Sequence, residues 1–388
     1  MPTTSAPPRR SAALKPHPDL TLRNSRVFRG IPALPARPFA GRSPAAALLT
    51  LLLVLCLLAA APPAGAWNDT GRGVEGSADS QDAGDAQVPV RLKIGLLPVE
   101  DTVLLIAAAE RGFFVQKGLQ VELVNFQSAL DKDAAAIAGT LDGHFCEIIS
   151  VMVQQASGRN FKVAAVTSAT SPYRRMFGLV TSPASAGLDL SGMRGKTLLT
   201  ARQTITDFLA DVFWRAGGLP ENFMERRDIK KIPVRMQLLM SSQADAALVP
   251  EPMLSVAETA GGKVLMDDRE IPDMPLAVVA LDGRLPPRVF TAFREALALS
   301  VDWVNAEPGE AKGLMTARGL IPPELAGTYR LPAFDPATIP SGLPDVKLYG
   351  EYVRYLQRLG VLAGGPDGGG SGLPVPAYSD VVPASGGR

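Results

Sequence analysis

Apolar and polar positions alternate along the middle of the chain in two rhythms. Short apolar runs are followed repeatedly by longer stretches of helical period, the pattern of βαβ units and a mostly parallel sheet. Arg91–Pro98 predicts a strand ending at a proline. A helix over Thr102–Phe114, closed at Gly112, and a strand over Leu119–Phe126 follow. An Ala-rich helix is predicted at Asp131–Gly139, and strands at His144–Val151, Phe161–Thr167 and Met176–Thr181. A second set repeats the grammar: a strand after Gly195, a helix Thr206–Ala216, a short strand piece Lys231–Pro233, and a helix Met236–Ser241. It ends with a strand Ala246–Val249, a helix Met253–Gly261 and strands Lys263–Met266 and Leu276–Leu281. After Pro287 the pattern is helical to Ala306, and again from Lys347 to Leu362. Two α/β sets of one design predict two lobes with a cleft between them.

The flanks read differently. Ala45–Ala61 is an uncharged apolar run with Arg42 before it and Ala64-Gly65-Ala66 after it, the order of an export signal. Cleavage is expected before Trp67, with an uncleaved membrane anchor at 45–61 as the alternative. The Pro-, Arg- and Ala-rich residues ahead of the run exceed what a signal needs, so the expected translation start lies downstream of Met1. Residues 67–90 and the tail 364–388 are rich in Gly, Ser, Asp and Pro and read as disordered.

Charge is segregated between these parts. Residues 1–66 hold eight Lys or Arg and one acid of the 39 basic and 38 acidic residues, which leaves the rest net negative. No basic patch interleaved with aromatics occurs, so nucleic acid is not an expected partner. Two cysteines and two histidines narrow the chemistry further. Past the N-terminal segment only His144 and Cys146 remain, too few for a zinc site, and no internal disulfide is possible there. At strand period His144 and Cys146 share one face while Phe145 and Glu147 share the other. The pair reads as a packed thiol beside an imidazole, with a nucleophilic Cys-His pair as the less favoured reading. No phosphate loop, HExxH or EF-hand motif is present, and no cofactor or metal is expected.

Binding groups are easier to find. Ser128-Ala-Leu-Asp131 and Thr204-Ile-Thr-Asp207 each place a hydroxyl and an acid at a helix start. Such a box either caps its helix only, or also turns hydroxyl and backbone N–H groups toward a ligand. Pro250-Glu251-Pro252 directly follows a strand, so Glu251 is held rigidly. It serves either as an acceptor for ligand N–H groups or as the acid opening the next helix. Arg174-Arg175 in a polar loop offers a partner for a ligand carboxylate, against the plainer reading of a solvated pair.

The ordered set KIGLLP, ERGFFVQKGLQVELVNF, LSGMRGKTLLTARQTITDF and QADAALVPEP resembles the solute-binding proteins of ABC importers. The branch is the one related to thiamine-precursor, sulfonate and nitrate binders. That resemblance covers most of residues 91–268 and implies two Rossmann-like α/β lobes joined by two crossover strands, the type II periplasmic binding fold. Lobe 1 would be 91–180 plus 275–363 and lobe 2 would be 181–274, with crossings near Val180–Pro183 and Ile271–Pro275. It implies ligand contacts from Pro98, Ser128, Ser150, Thr167, Thr204, Thr206 and Glu251, to which the sequence adds Arg174. It also implies a monomer in the periplasm that hands a small polar or zwitterionic solute to a membrane permease, and no enzyme. An enzyme on the same fold, like the thiamine-pyrimidine synthases, and an anchored sensor are the alternatives. Where similar proteins carry a Thr-Asp pair this chain has Cys146-Glu147, which leaves the ligand class open.

Overall fold

The computed structural model describes residues 89–271, 274–341, 343–364 and 372–382, within one compact unit, Gln81–Arg388. The export signal, the alternative anchor and all but the last residues of the expected linker lie outside the described residues. The strands are β1 (Val90–Leu96), β2 (Leu119–Asn125), β3 (Gly143–Cys146), β4 (Phe161–Ala169), β5 (Phe177–Thr181), β6 (Thr197–Thr200), β7 (Glu225–Asp228), β8 (Ala246–Pro250), β9 (Val264–Asp267) and β10 (Pro275–Asp282). The helices are α1 (Val103–Glu110), α2 (Phe113–Gln116), α3 (Ala129–Ile137), α4 (Ile148–Ala156), α5 (Ile205–Ala216), α6 (Ile232–Met240), α7 (Met253–Thr259), α8 (Pro287–Ala306), α9 (Pro308–Ala317), α10 (Val346–Arg358) and α11 (Tyr378–Val381).

Two sheets form, in the orders β2-β1-β3-β10-β4 and β7-β6-β8-β5-β9. Each is parallel over its first three strands and then takes one antiparallel strand, β10 or β5. That odd strand is in both cases the first one after the chain crosses from the other sheet. The expected α/β fold of two lobes is therefore present. The first crossing lies earlier than expected, between Ala169 and Phe177, because Phe177–Thr181 pairs with β8 and β9 and so belongs to the second sheet. Its apolar run is buried throughout and carries no mark of which sheet it joins. The second crossing lies between Asp267 and Pro275.

The two crossing segments are tied to each other. Asp268 Oδ1 accepts from the backbone N–H of Met176 (2.9 Å) and Phe177 (3.1 Å). Thr170 and Met274 exchange two more bonds, at 2.8 Å each.

Three elements depart from the hydrophobic pattern. Ile148–Ala156 is a helix, although its apolar start reads as the continuation of a strand; a short apolar run fits either form. Strand β7, Glu-Arg-Arg-Asp, is an edge strand of charged residues that no apolar alternation marks. The expected strand piece Lys231–Pro233 instead leads into α6, with Pro233 in its first turn, where its missing N–H costs nothing. Helix α1 is apolar on all sides and buried from Val103 to Ala108. Gly143 opens β3 because a Cβ there would meet the Ala280 carbonyl at 2.7 Å and the Leu281 side chain at 2.5 Å. Beyond it, Phe145 and Glu147 line the space between the sheets.

The C-terminal segment corrects one expectation. Residues 372–382, read as part of a disordered tail, pack onto the first lobe with Val381 and Val382 buried. Gln155 Nε2 donates to the Asp380 carbonyl (2.8 Å), and the Tyr349 and Tyr378 rings meet edge to face. Just before it, α10 touches both halves of the molecule. Tyr352 donates to the Pro275 carbonyl of β10 (2.9 Å), while Tyr355 donates to Asp207 of α5 (2.8 Å) and Arg358 to Asp211 (2.6 Å).

Candidate functional site

The carboxyl ends of β1 and β3 face those of β6 and β8 across a cavity of about 50 Å³, space for only a few waters. Leu97, Val99 and Phe145 form one wall, and Phe177, Ile205 and Ile232 the other. The lobes meet at both ends of this space. Ser128 bridges to Lys231 with Ile232 N–H on the Gln127 carbonyl (3.3 Å), and Glu100 N–H donates to the Glu251 carbonyl (3.0 Å). The cleft is thus in its closed arrangement.

Helix α5 points its N-terminus into the cavity. Asp207 and Phe208 N–H return to the Thr204 carbonyl, leaving those of Ile205 and Thr206 without a partner among the described residues. Thr204 does not cap with its side chain. Its hydroxyl donates to the Ala201 carbonyl (2.7 Å) and lies 3.0 Å from that of Thr206. Thr206 Oγ1 accepts from Ala201 N–H (3.1 Å) and from Arg235 Nη1 (3.2 Å). Its own proton therefore points to Thr204.

Arg235 is the unusual group. It is 3% exposed, lines the cavity, and donates otherwise only to the Leu248 carbonyl (3.3 Å). Its Nε has no partner, and no carboxylate lies within ion-pair distance among the described residues. Burial lowers the guanidinium from 12.5 to about 10, partly offset by Asp228 and Glu147. A free helix start beside an unpaired buried cation is a seat for an anion.

The facing wall carries acids. Burial pushes the Asp101 carboxyl up, offset in part by the Thr167 hydroxyl that donates to it at 2.8 Å. Burial also raises Glu147, with Lys132 working against it. The single Ser150 hydroxyl proton is shared between Glu147 Oε2 (3.2 Å) and Asp133 Oδ2 (3.1 Å). Behind them Lys132 is fully buried, paired to Asp133 and 2.8 Å from His144 Nδ1. A lysine ammonium can only donate, so Nδ1 accepts and Nε2–H donates to Gln154 Oε1 (3.0 Å). Burial and Lys132 together lower the His144 imidazole, which stays neutral. Cys146 is fully buried and its thiol is pushed far up by burial, so it is no thiolate nucleophile.

Of the residues singled out in the sequence, Thr204 and Thr206 line the cleft. The others are turned elsewhere. Pro98 sits between the lining residues Leu97 and Val99 without facing the space. Ser128 is consumed by its own cap, accepting from Asp131 N–H (3.1 Å) and donating to Asp131 Oδ2 (2.7 Å). Ser150 and Thr167 act behind Glu147 and Asp101, as described. Arg174 pairs with buried Glu100 (2.5 Å) and stacks on Phe334, while Tyr329 donates to the same carboxylate. Glu251 is held by Arg175 (2.6 and 3.0 Å) and accepts from Ser255 N–H (3.1 Å), so it opens α7 and does not face the cleft. Sequence reading missed Arg235 and did not place Glu147 as a cleft group beyond its shared face with Phe145. Among the described residues no group of three or more His, Cys, Asp or Glu is placed to hold a metal, and no helix is long and apolar enough to cross a membrane.

Several solved structures share this arrangement. The ligand-binding component of an ABC-type import system from Staphylococcus aureus, with zinc bound, superposes with a TM-score of 0.58 at 19% identity, covering 76% of this chain and 96% of that one. The alkanesulfonate-binding protein SsuA from Xanthomonas axonopodis pv. citri, bound to MOPS, gives 0.57 at 15%, covering 71% and 93%. The periplasmic nitrate-binding protein NrtA from Synechocystis PCC 6803 gives 0.51 at 16%, covering 60% and 66%. At these identities the likeness is one of fold, the periplasmic binding protein architecture. No curated protein matches the sequence. The NMT1/THI5-like family model matches residues 100–311, a stretch that holds the helix start, the cation and both acids of the cleft. By that match, over more than half of its length, the chain belongs to the NMT1/THI5-like family.

Proposed function

We propose that the protein is the solute-binding component of an ABC importer. It closes on a small polar solute with an anionic group and delivers it to a membrane permease outside the cytoplasm. The observation that carries this reading is Arg235, a buried guanidinium with no carboxylate partner among the described residues, standing in the interlobe cleft beside the open N-terminus of α5. Leaving such a cation unpaired costs stability, and a bound anion would repay it. Thr204 and Thr206 would orient that anion, and the apolar walls would take the body of the solute. The ligand-binding component of an ABC-type import system, which shares this fold, supports the role. Closure would exclude water and strengthen each polar contact.

The test is a thermal-shift screen of the full chain against small organic anions, with scattering measured on the stabilising compounds. A hundredfold excess over Kd adds about 2.7 kcal/mol of stability. A binder should also reduce the radius of gyration if the free protein samples an open state. If no organic anion stabilises the protein and none co-purifies with it, the reading fails.

A further inference from the structure

The cleft holds a second group without a counter-charge, on the wall opposite Arg235. Glu147 is 7% exposed and lines the same cavity. Ser150 occupies one of its oxygens (Oε2), and no Lys or Arg lies within ion-pair distance of it among the described residues. Lys132, the cation behind it, is already paired with Asp133 and bonded to His144. Glu147 and Arg235 feel each other across the cavity yet do not form an ion pair.

Two opposite poles that face one space without touching call for a ligand that touches both. A simple anion would satisfy Arg235 and set a second negative group against Glu147 and Asp101. A simple cation would do the reverse at Arg235. We infer that the solute carries two poles: an anionic group seated on Arg235 and the start of α5, and a protonated amine seated on Glu147. The apolar residues between, Phe145 and Ile205 among them, receive the short skeleton that joins the poles. The cluster Lys132–Asp133–His144–Gln154 acts from below. Its bonds are satisfied internally except at Gln154 Nε2, and it holds Ser150 and Glu147 in place.

This inference rests on the solute-capture reading, and the experiment separates the two. Calorimetry on the full chain would compare ω-amino sulfonates and ω-amino carboxylates of two or three carbons with the same skeletons lacking the amine or lacking the acid. The best two-pole probe should bind roughly tenfold to a hundredfold tighter than its amine-free counterpart, since a buried carboxylate left unpaired costs that much. Glu147→Gln should erase this preference while the amine-free anion binds as before or better. Arg235→Gln should weaken both. If the amine-free anions bind as tightly as the two-pole probes, or if Glu147→Gln keeps the preference, the two-pole inference is overturned and solute capture stands. If no probe of any class binds and no solute co-purifies, both fall together.

Discussion

Replacing Arg235 by Met should make the empty protein more stable and the loaded protein weaker. Burial lowers this guanidinium from 12.5 to about 10. A cation whose folded pKa lies below its unfolded value is a net cost at every pH below the folded value. The cost fades only as pH rises from about 10 toward 12.5, so it is constant across the working range. At about 1.4 kcal/mol per pH unit, removing the charge is worth about 3 kcal/mol. Two hydrogen bonds are lost with it, those to Thr206 Oγ1 and to the Leu248 carbonyl. At about 1 kcal/mol each they offset most of that, leaving a gain of about 1 kcal/mol. Methionine fills similar volume without strain. Urea denaturation of ligand-free protein at pH 7 and pH 9 should show the same small gain at both. Affinity for any anionic solute should fall at least tenfold. A ligand-free loss of 2 kcal/mol or more, with anion affinity unchanged, would refute the reasoning and make Arg235 a structural residue.

Asp268 gives a pH signature. Burial raises its carboxyl to about 7, so the folded protein holds a proton that the unfolded chain loses near 4. Stability should therefore fall as pH rises between those limits and level off above. Asp268→Asn should gain on the parent by about 1.4 kcal/mol per pH unit over that range, read from urea midpoints; a constant difference would sink the idea. Cys146→Ser should lose about 1–3 kcal/mol for a buried hydroxyl and keep solute affinity, and loss of affinity with stability intact would count against a packing role. Glu251→Gln should cost about 1–2 kcal/mol by weakening the Arg175 pair and the start of α7, with solute affinity changed less than twofold. A tenfold loss would return Glu251 to the binding surface.

Helix α8 was legible to within a residue, because a proline marks its start and its helical pattern runs on to Ala306. Strands with buried faces were legible too, since burial leaves apolar runs. The cleft was not, and the reason is tertiary. Arg235 stands at an ordinary helix position where arginine is usually solvated; the packing of α6 against β8 and β6 buries it. Ser128 and Glu251 show the converse. Each sits where a ligand group would be expected, and each is taken by its own neighbours, Asp131 in one case and Arg175 with Ser255 in the other. Thr204 and Thr206 differ because their hydroxyls bond mainly to each other and to Ala201, which leaves the helix end beside them open.

Helix α10 turns the two-lobed molecule into a closed mechanical loop. Two crossover segments alone make a hinge, but Tyr352 grips the first sheet while Tyr355 and Arg358 grip α5. Any swing that parts the lobes must break one of these grips or drag the helix with it. Asp207, the anchor for Tyr355, is the third residue of the helix whose first N–H groups face the cavity. The strap is therefore fastened to the same rod that would hold the solute, so the residence time of a captured solute and the release of α10 would become one event.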